Sequence, residues 1–148
     1  MEQKQLLKNG EAWIRIRQSV ALYNDLRGHF LAFSAAAATL AEDDGGFGDD
    51  IRVTQHLDDN YVDVTFMGQT FRFRFVPRPA IAGDARIVVT EVDLVTKREG
   101  PKLNDILFTG NAMTPLKHPD NGDPLMLNER DTARYFVLSV IYNAVWAP

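Results

Sequence analysis

The sequence predicts an α+β domain: a long N-terminal helix and a C-terminal helix packed on one face of an antiparallel meander sheet of about 5-6 strands. Three observations predict it. Apolar side chains recur at helical spacing through residues 11–41, the period then falls from 3.6 to 2 over three successive segments, and a helical pattern returns near the C-terminus. The chain has 148 residues, 45% of them apolar, enough to bury one core without disulfides, metals or obligatory partners. Residues 1–148 therefore read as a single domain.

In the first segment Trp13, Ile16, Val20, Tyr23, Leu26, Phe30, Phe33, Ala37 and Leu40 follow a helical period. Gly28 costs about 1 kcal/mol relative to alanine inside a helix and marks a candidate kink. A helix of this length would span about 45 Å at 1.5 Å per residue, more than the width of a domain this size. Either it bends near Gly28 or one end reaches past the sheet. The run EDDGGFGDD, residues 42–50, has no apolar period and ends the helix as a loop.

Residues 51–57, 61–67 and 70–76 alternate apolar with polar side chains, and Asp59-Asn60 and Gly68-Gln69 fit two-residue hairpin turns. A Gly68-Gln69 turn pairs Phe66 with Phe71, Val64 with Phe73 and Val62 with Phe75, and sets Asp63 opposite Arg74. An Asp59-Asn60 turn pairs Leu57 with Val62 and Val53 with Phe66. Both turns put the phenylalanines and valines on one face and the charges on the other, and a one-residue slip would destroy that agreement.

Pro77, Pro79 and Gly83 break the pattern before a further strand over residues 86–95. There Val88, Val92 and Leu94 share one side with Thr90, and Ile87 and Val89 share the other with Glu91 and Asp93, which assigns Ile87 and Val89 to the outer face. Residues 97–102 read as a turn, 105–109 as a short strand, and Asp120-Asn121-Gly122-Asp123 as a turn returning into Leu125-Met126-Leu127. Asn128 or Asp131 then caps a final helix running from Arg134 past Phe136, Val140 and Ile141 to Val145. Its apolar residues lie almost all round, which predicts burial on two sides.

Composition narrows function by exclusion. The absence of cysteine removes thiol nucleophiles, thiolate zinc sites, iron–sulfur clusters and disulfide frameworks. The net charge of −4 has the wrong sign for a general nucleic-acid or anionic-membrane binder. The first 18 residues are too polar for a secretory leader. The most apolar run, residues 30–41, falls short of the ~20 residues a spanning helix needs. The expectation is a soluble, cytoplasmic protein that contacts neither nucleic acid nor membrane. Charge is uneven: residues 41–64 carry eight acids against one base, whereas residues 70–102 carry seven bases against four acids.

No catalytic pattern emerges. His29, His56 and His118 fall in a helix, a strand and a loop, with no HExxH pair. His118 has Asp120 and Asp123 close by, an arrangement suited to a general base, but the same residues form a turn around Pro119 and Gly122. The acidic loop lacks the spacing of a calcium-binding frame, and its GGFG run carries no phosphate-binding lysine. No cofactor is implied. Arg72 and Arg74 project to the same side and can grip a carboxylate or phosphate with paired donors. With Ile87 and Val89 they form a candidate binding surface, an apolar patch rimmed by arginines.

The expected function is that of a non-catalytic protein-binding module that associates with another protein or with itself, as a homodimer through the outer sheet face or the long helix. In outline the chain resembles bacterial secretion chaperones and toxin-immunity proteins, which are small, acidic, often dimeric and free of cofactors. The alternative is a small-molecule-binding protein or atypical enzyme. Its pocket would lie between helices and sheet, lined by Tyr23, Tyr61, Tyr135, Tyr142 and Trp146.

Overall fold

The computed structural model describes residues 9–42 and 46–146. Helix α1 (Asn9–Ala38) runs unbroken through Gly28 and ends in a 3-10 turn at Thr39–Ala41. Of the two options for so long a helix, the second holds: its N-terminal end passes beyond the sheet. The sheet follows as a five-stranded antiparallel meander in the order β1 (Ile51–His56), β2 (Tyr61–Phe66), β3 (Gln69–Pro77), β4 (Asp84–Val92) and β5 (Glu99–Thr109). Strands β6 (Met113–Lys117) and β7 (Pro124–Met126) form a separate two-stranded sheet. Helix α2 (Arg130–Val145) completes the fold.

Both helices cover the same sheet face. Phe33 from α1, Phe73 from β3 and Phe136 from α2 meet with ring centroids 5.9–6.2 Å apart. Phe30 stacks on Phe75 at 5.5 Å, and Phe75 reaches Phe108 of β5 at 6.3 Å. The middle of the space between helices and sheet is thus filled by aromatic side chains, and of the residues expected to line a pocket there Tyr23 packs on Phe75 at 5.8 Å and Trp146 on Phe66 at 6.3 Å, both at its margins. Tyr61 lies on the opposite sheet face, while Tyr135 and Tyr142 are exposed on α2. Helix α2 is accordingly covered on one side only, and its cap residue is Glu129 instead of Asn128 or Asp131.

The hairpin registers differ from expectation by two residues. The β2–β3 turn is Met67-Gly68, with φ of 51° and 79°, the paired positive values of a two-residue turn that follows strand twist. Val64 therefore faces Phe71, Val62 faces Phe73 and Asp63 faces Arg72. The β1–β2 link is a longer 3-10 turn, Leu57–Asp59, closed by Asn60 at φ 58°. It sets Val53 against Val64 and Gln55 against Val62. Because side chains alternate with a period of two, a two-residue shift keeps every one on its expected face. Arg27 of α1 anchors the longer turn, donating to Asn60 Oδ1 at 2.9 Å and to the Leu57 carbonyl at 3.0 Å.

One face assignment is inverted. Ile87 and Val89 pair with Phe75 and Phe73 and are fully buried in the core, whereas Val88 lies on the outer face beside Arg74 and Asp105. The grouping of residues in β4 is as expected. Glu91 shares the inner face of Ile87 and Val89, but at a strand end where its carboxylate reaches solvent. The chain from 93 to 98 forms the turn that precedes β5, closed by the Asp93 N–H bonding the Arg98 carbonyl. Ile87→Ala is expected to cost about 2–5 kcal/mol and Val88→Ala about 1 kcal/mol or less, measured by urea denaturation. Equal losses would contradict this orientation of β4.

Candidate functional site

The outer sheet face carries the expected arginines, but each already holds a carboxylate of the same chain. Arg72 Nε and Nη2 donate to the two Asp63 carboxylate oxygens at 2.9 and 3.1 Å. Asp63 sits opposite Arg72, not Arg74, because of the two-residue register shift. The Asp63 hydrogen bond raises the Arg72 pKa despite partial burial. The Arg72 guanidinium lies 4.0 Å from the Tyr61 ring centroid, and that ring stacks on His56 at 4.6 Å. Arg74 Nη2 donates to Glu99 Oε2 at 3.0 Å, and Thr90 Oγ1 donates to Glu99 Oε1 at the same distance. With Ile87 and Val89 inside, no apolar patch adjoins these arginines as expected. The surface is a laced polar sheet face.

Burial pushes the Glu99 carboxyl up. The hydrogen bonds from Arg74 and Thr90, with the charges of Arg74 and Arg72, outweigh this and hold it below its ordinary value. A carboxylate depressed in the folded state stabilises the protein above its unfolded pKa, and that contribution is lost as pH falls through the folded value.

The histidines serve the scaffold. His29 Nε2 lies 2.8 Å from the Gly110 carbonyl, tying α1 to the loop after β5. His118 closes the Asp120–Asp123 turn: its N–H donates to the Asp123 carbonyl at 2.7 Å, and its Nδ1 accepts the Asp120 N–H at 3.3 Å. Among the described residues no three histidine, aspartate or glutamate side chains converge on a metal-sized site. Asp43 and Asp44 of the acidic loop lie outside the described residues. Among the described residues no helix is long and apolar enough to cross a membrane.

Two other features stand out. The first is the arm of α1. From residue 10 to residue 21 every side chain is exposed except the partly covered Ala12. Trp13, Ile16 and Val20 expose 63%, 61% and 54% of their surface, and Tyr23 at the edge of the domain exposes 38%. Their spacing makes one stripe, set roughly a third of a turn around the helix from the Leu22, Leu26 and Phe33 line that faces the core. The periodicity was legible in the sequence; that no described element lies beneath Trp13, Ile16 and Val20 follows from the sheet ending near Leu22, whereas the Tyr23 ring packs on Phe75 with centroids 5.8 Å apart. The second feature is a groove beside the edge strand β5. Cavities of about 320 and 150 Å³ adjoin at Asn104. Their walls are β5 on one side and Phe136, Ser139 and Val140 of α2 on the other. Sequence periodicity carried no signal for the groove, which exists only where α2 and β6 diverge from the sheet edge.

Glu99→Gln should lower stability at pH 7; the difference from the native chain should begin to shrink as pH falls below about 4.3, the ordinary glutamate value, and vanish only below the depressed value of the folded state. Denaturant titrations at a series of pH values measure it. A difference that persists unchanged at acid pH would argue against the Arg74–Glu99 pair as its source. No protein-family model, curated protein or solved structure matches this chain, so the functional reading rests on its own geometry.

Proposed function

We propose that this chain is a non-catalytic protein-binding module that self-associates through the arm of α1. The observation that carries the reading is the stripe of Trp13, Ile16 and Val20 on a helix extension that no described element covers, continued by Tyr23, which exposes 38% of its surface while its ring packs on Phe75 at the edge of the domain. An isolated helix of this length is marginal in water. Here it propagates from a docked half, so nucleation is already offset and an apolar stripe is presented preformed.

A second copy suits the stripe because the stripe is self-complementary. In an antiparallel two-fold pair Trp13 meets the second copy's Tyr23 and Ile16 meets its Val20, in the manner of facing seam positions in a coiled coil. Covering the four side chains in both copies contributes roughly 10 kcal/mol against an association cost of about 4–15 kcal/mol. That balance describes a concentration-dependent dimer.

Sedimentation equilibrium across a wide concentration range should show a monomer–dimer transition. Trp13→Asp combined with Ile16→Asp should weaken it at least about tenfold. At concentrations where the native chain is monomeric, thermal unfolding of the double variant should be unchanged, because both positions are exposed in the monomer. A native chain that stays monomeric, or a double variant that still dimerises, would remove this reading.

A further inference from the structure

The groove between β5 and α2 is a second surface, independent of the arm. We infer that it takes an extended peptide segment that adds as a strand to β5 over residues 103–107 and carries acidic side chains alternating with apolar ones. Strand β5 ends the sheet order, with β4 hydrogen-bonded on one side and, among the described residues, no strand hydrogen-bonded on the other, where β6 stands off across the larger cavity. Alternate residues of an antiparallel edge strand turn their N–H and C=O groups away from the neighbour. Among the described residues no backbone group bonds residues 103–107 from that open side. The Asp105 N–H is held instead by the side-chain carbonyl of its neighbour Asn104 at 2.8 Å, an acceptor of the kind an incoming backbone carbonyl replaces.

The groove supplies what strand addition needs besides hydrogen bonds, namely pockets for alternate side chains. Ile106, Leu116 and Phe136 line one cavity, and Leu103 and Val140 the other. Their residues on β5 span about 17 Å at 3.3 Å per residue, longer than a compact small molecule and suited to a five-residue strand. Pro101 has no N–H to donate, so the start of β5 is blunted as an edge.

Charge selects the occupant. Asp105 Oδ2 accepts from both Arg86 Nη1 at 3.3 Å and Lys102 Nζ at 3.1 Å, two cations on one carboxylate. Among the described residues Asp105 is the only acidic side chain lining either cavity. Arg86 and Asp105 line the larger cavity, and Lys102, outside its lining, holds the same carboxylate, so these three side chains carry one net positive charge beside the groove, on a chain whose net charge is −4. An acidic side chain on the added strand balances it.

The test is selection of a random nonapeptide display library on the full chain, followed by binding measurements with the selected peptides. Selected sequences should alternate apolar residues with aspartate or glutamate. Hydrogen exchange should slow at residues 103–107 when they bind. Ser139→Trp, which fills the groove from α2, should weaken binding at least tenfold, and Lys102→Gln should weaken it several-fold. If Ser139→Trp does not fold, Leu103→Glu on an exposed position serves the same purpose. The Trp13→Asp, Ile16→Asp double variant should bind these peptides as the native chain does, so failure of self-association leaves this result readable. Selection of no peptide, peptides without acids, protection elsewhere, or binding indifferent to a blocked groove would each overturn the inference.

Discussion

The meeting of Phe33, Phe73 and Phe136 is the contact on which the rest of the structure depends. It is where α1, the central strand β3 and α2 converge, and each ring is buried. Aromatic pairs at these separations contribute about 0.5–1.5 kcal/mol each beyond the area they bury. More important is the space the contact occupies. Phe30, Phe75 and Phe108 continue the same layer, so the middle of the space between helices and sheet is filled by aromatic rings.

That layer bears on what was legible in the residues. Alternation in β2 and β3 placed Val62, Val64, Phe71, Phe73 and Phe75 correctly, because facing depends only on parity. The turn itself was misplaced because Met67 adopts positive φ without being glycine, asparagine or aspartate, so propensity pointed one residue too far. Leu57–Asp59 coils into a 3-10 turn that Arg27 clamps from 30 residues away, a tertiary bond no local window can contain. The inversion of β4 has a related cause: both of its faces carry valines, and only pairing with Phe73 and Phe75 decides between them.

The candidate surfaces were legible to different degrees. Arg72 and Arg74 do share a face, but their roles hang on partners contributed by β2 and β5, and those partners turn a possible anion clamp into internal lacing. The helical stripe at Trp13 was visible as a pattern, while its exposure depended on how far the sheet extends. The groove at β5 arises from the divergence of three elements and has no counterpart in linear pattern. Periodicity reports which side chains share a face; it does not report what covers that face.

The reach of α1 past the sheet also bears on how the two surfaces combine. About 12 exposed residues correspond to roughly 18 Å of helix. Two copies fastened along such levers would hold their domains apart, each with its β5 margin facing open solvent. The assembly would then be bivalent. A ligand carrying two suitable segments would meet its second site at a high effective concentration, so avidity, set by linker length, would exceed the grip of either margin alone.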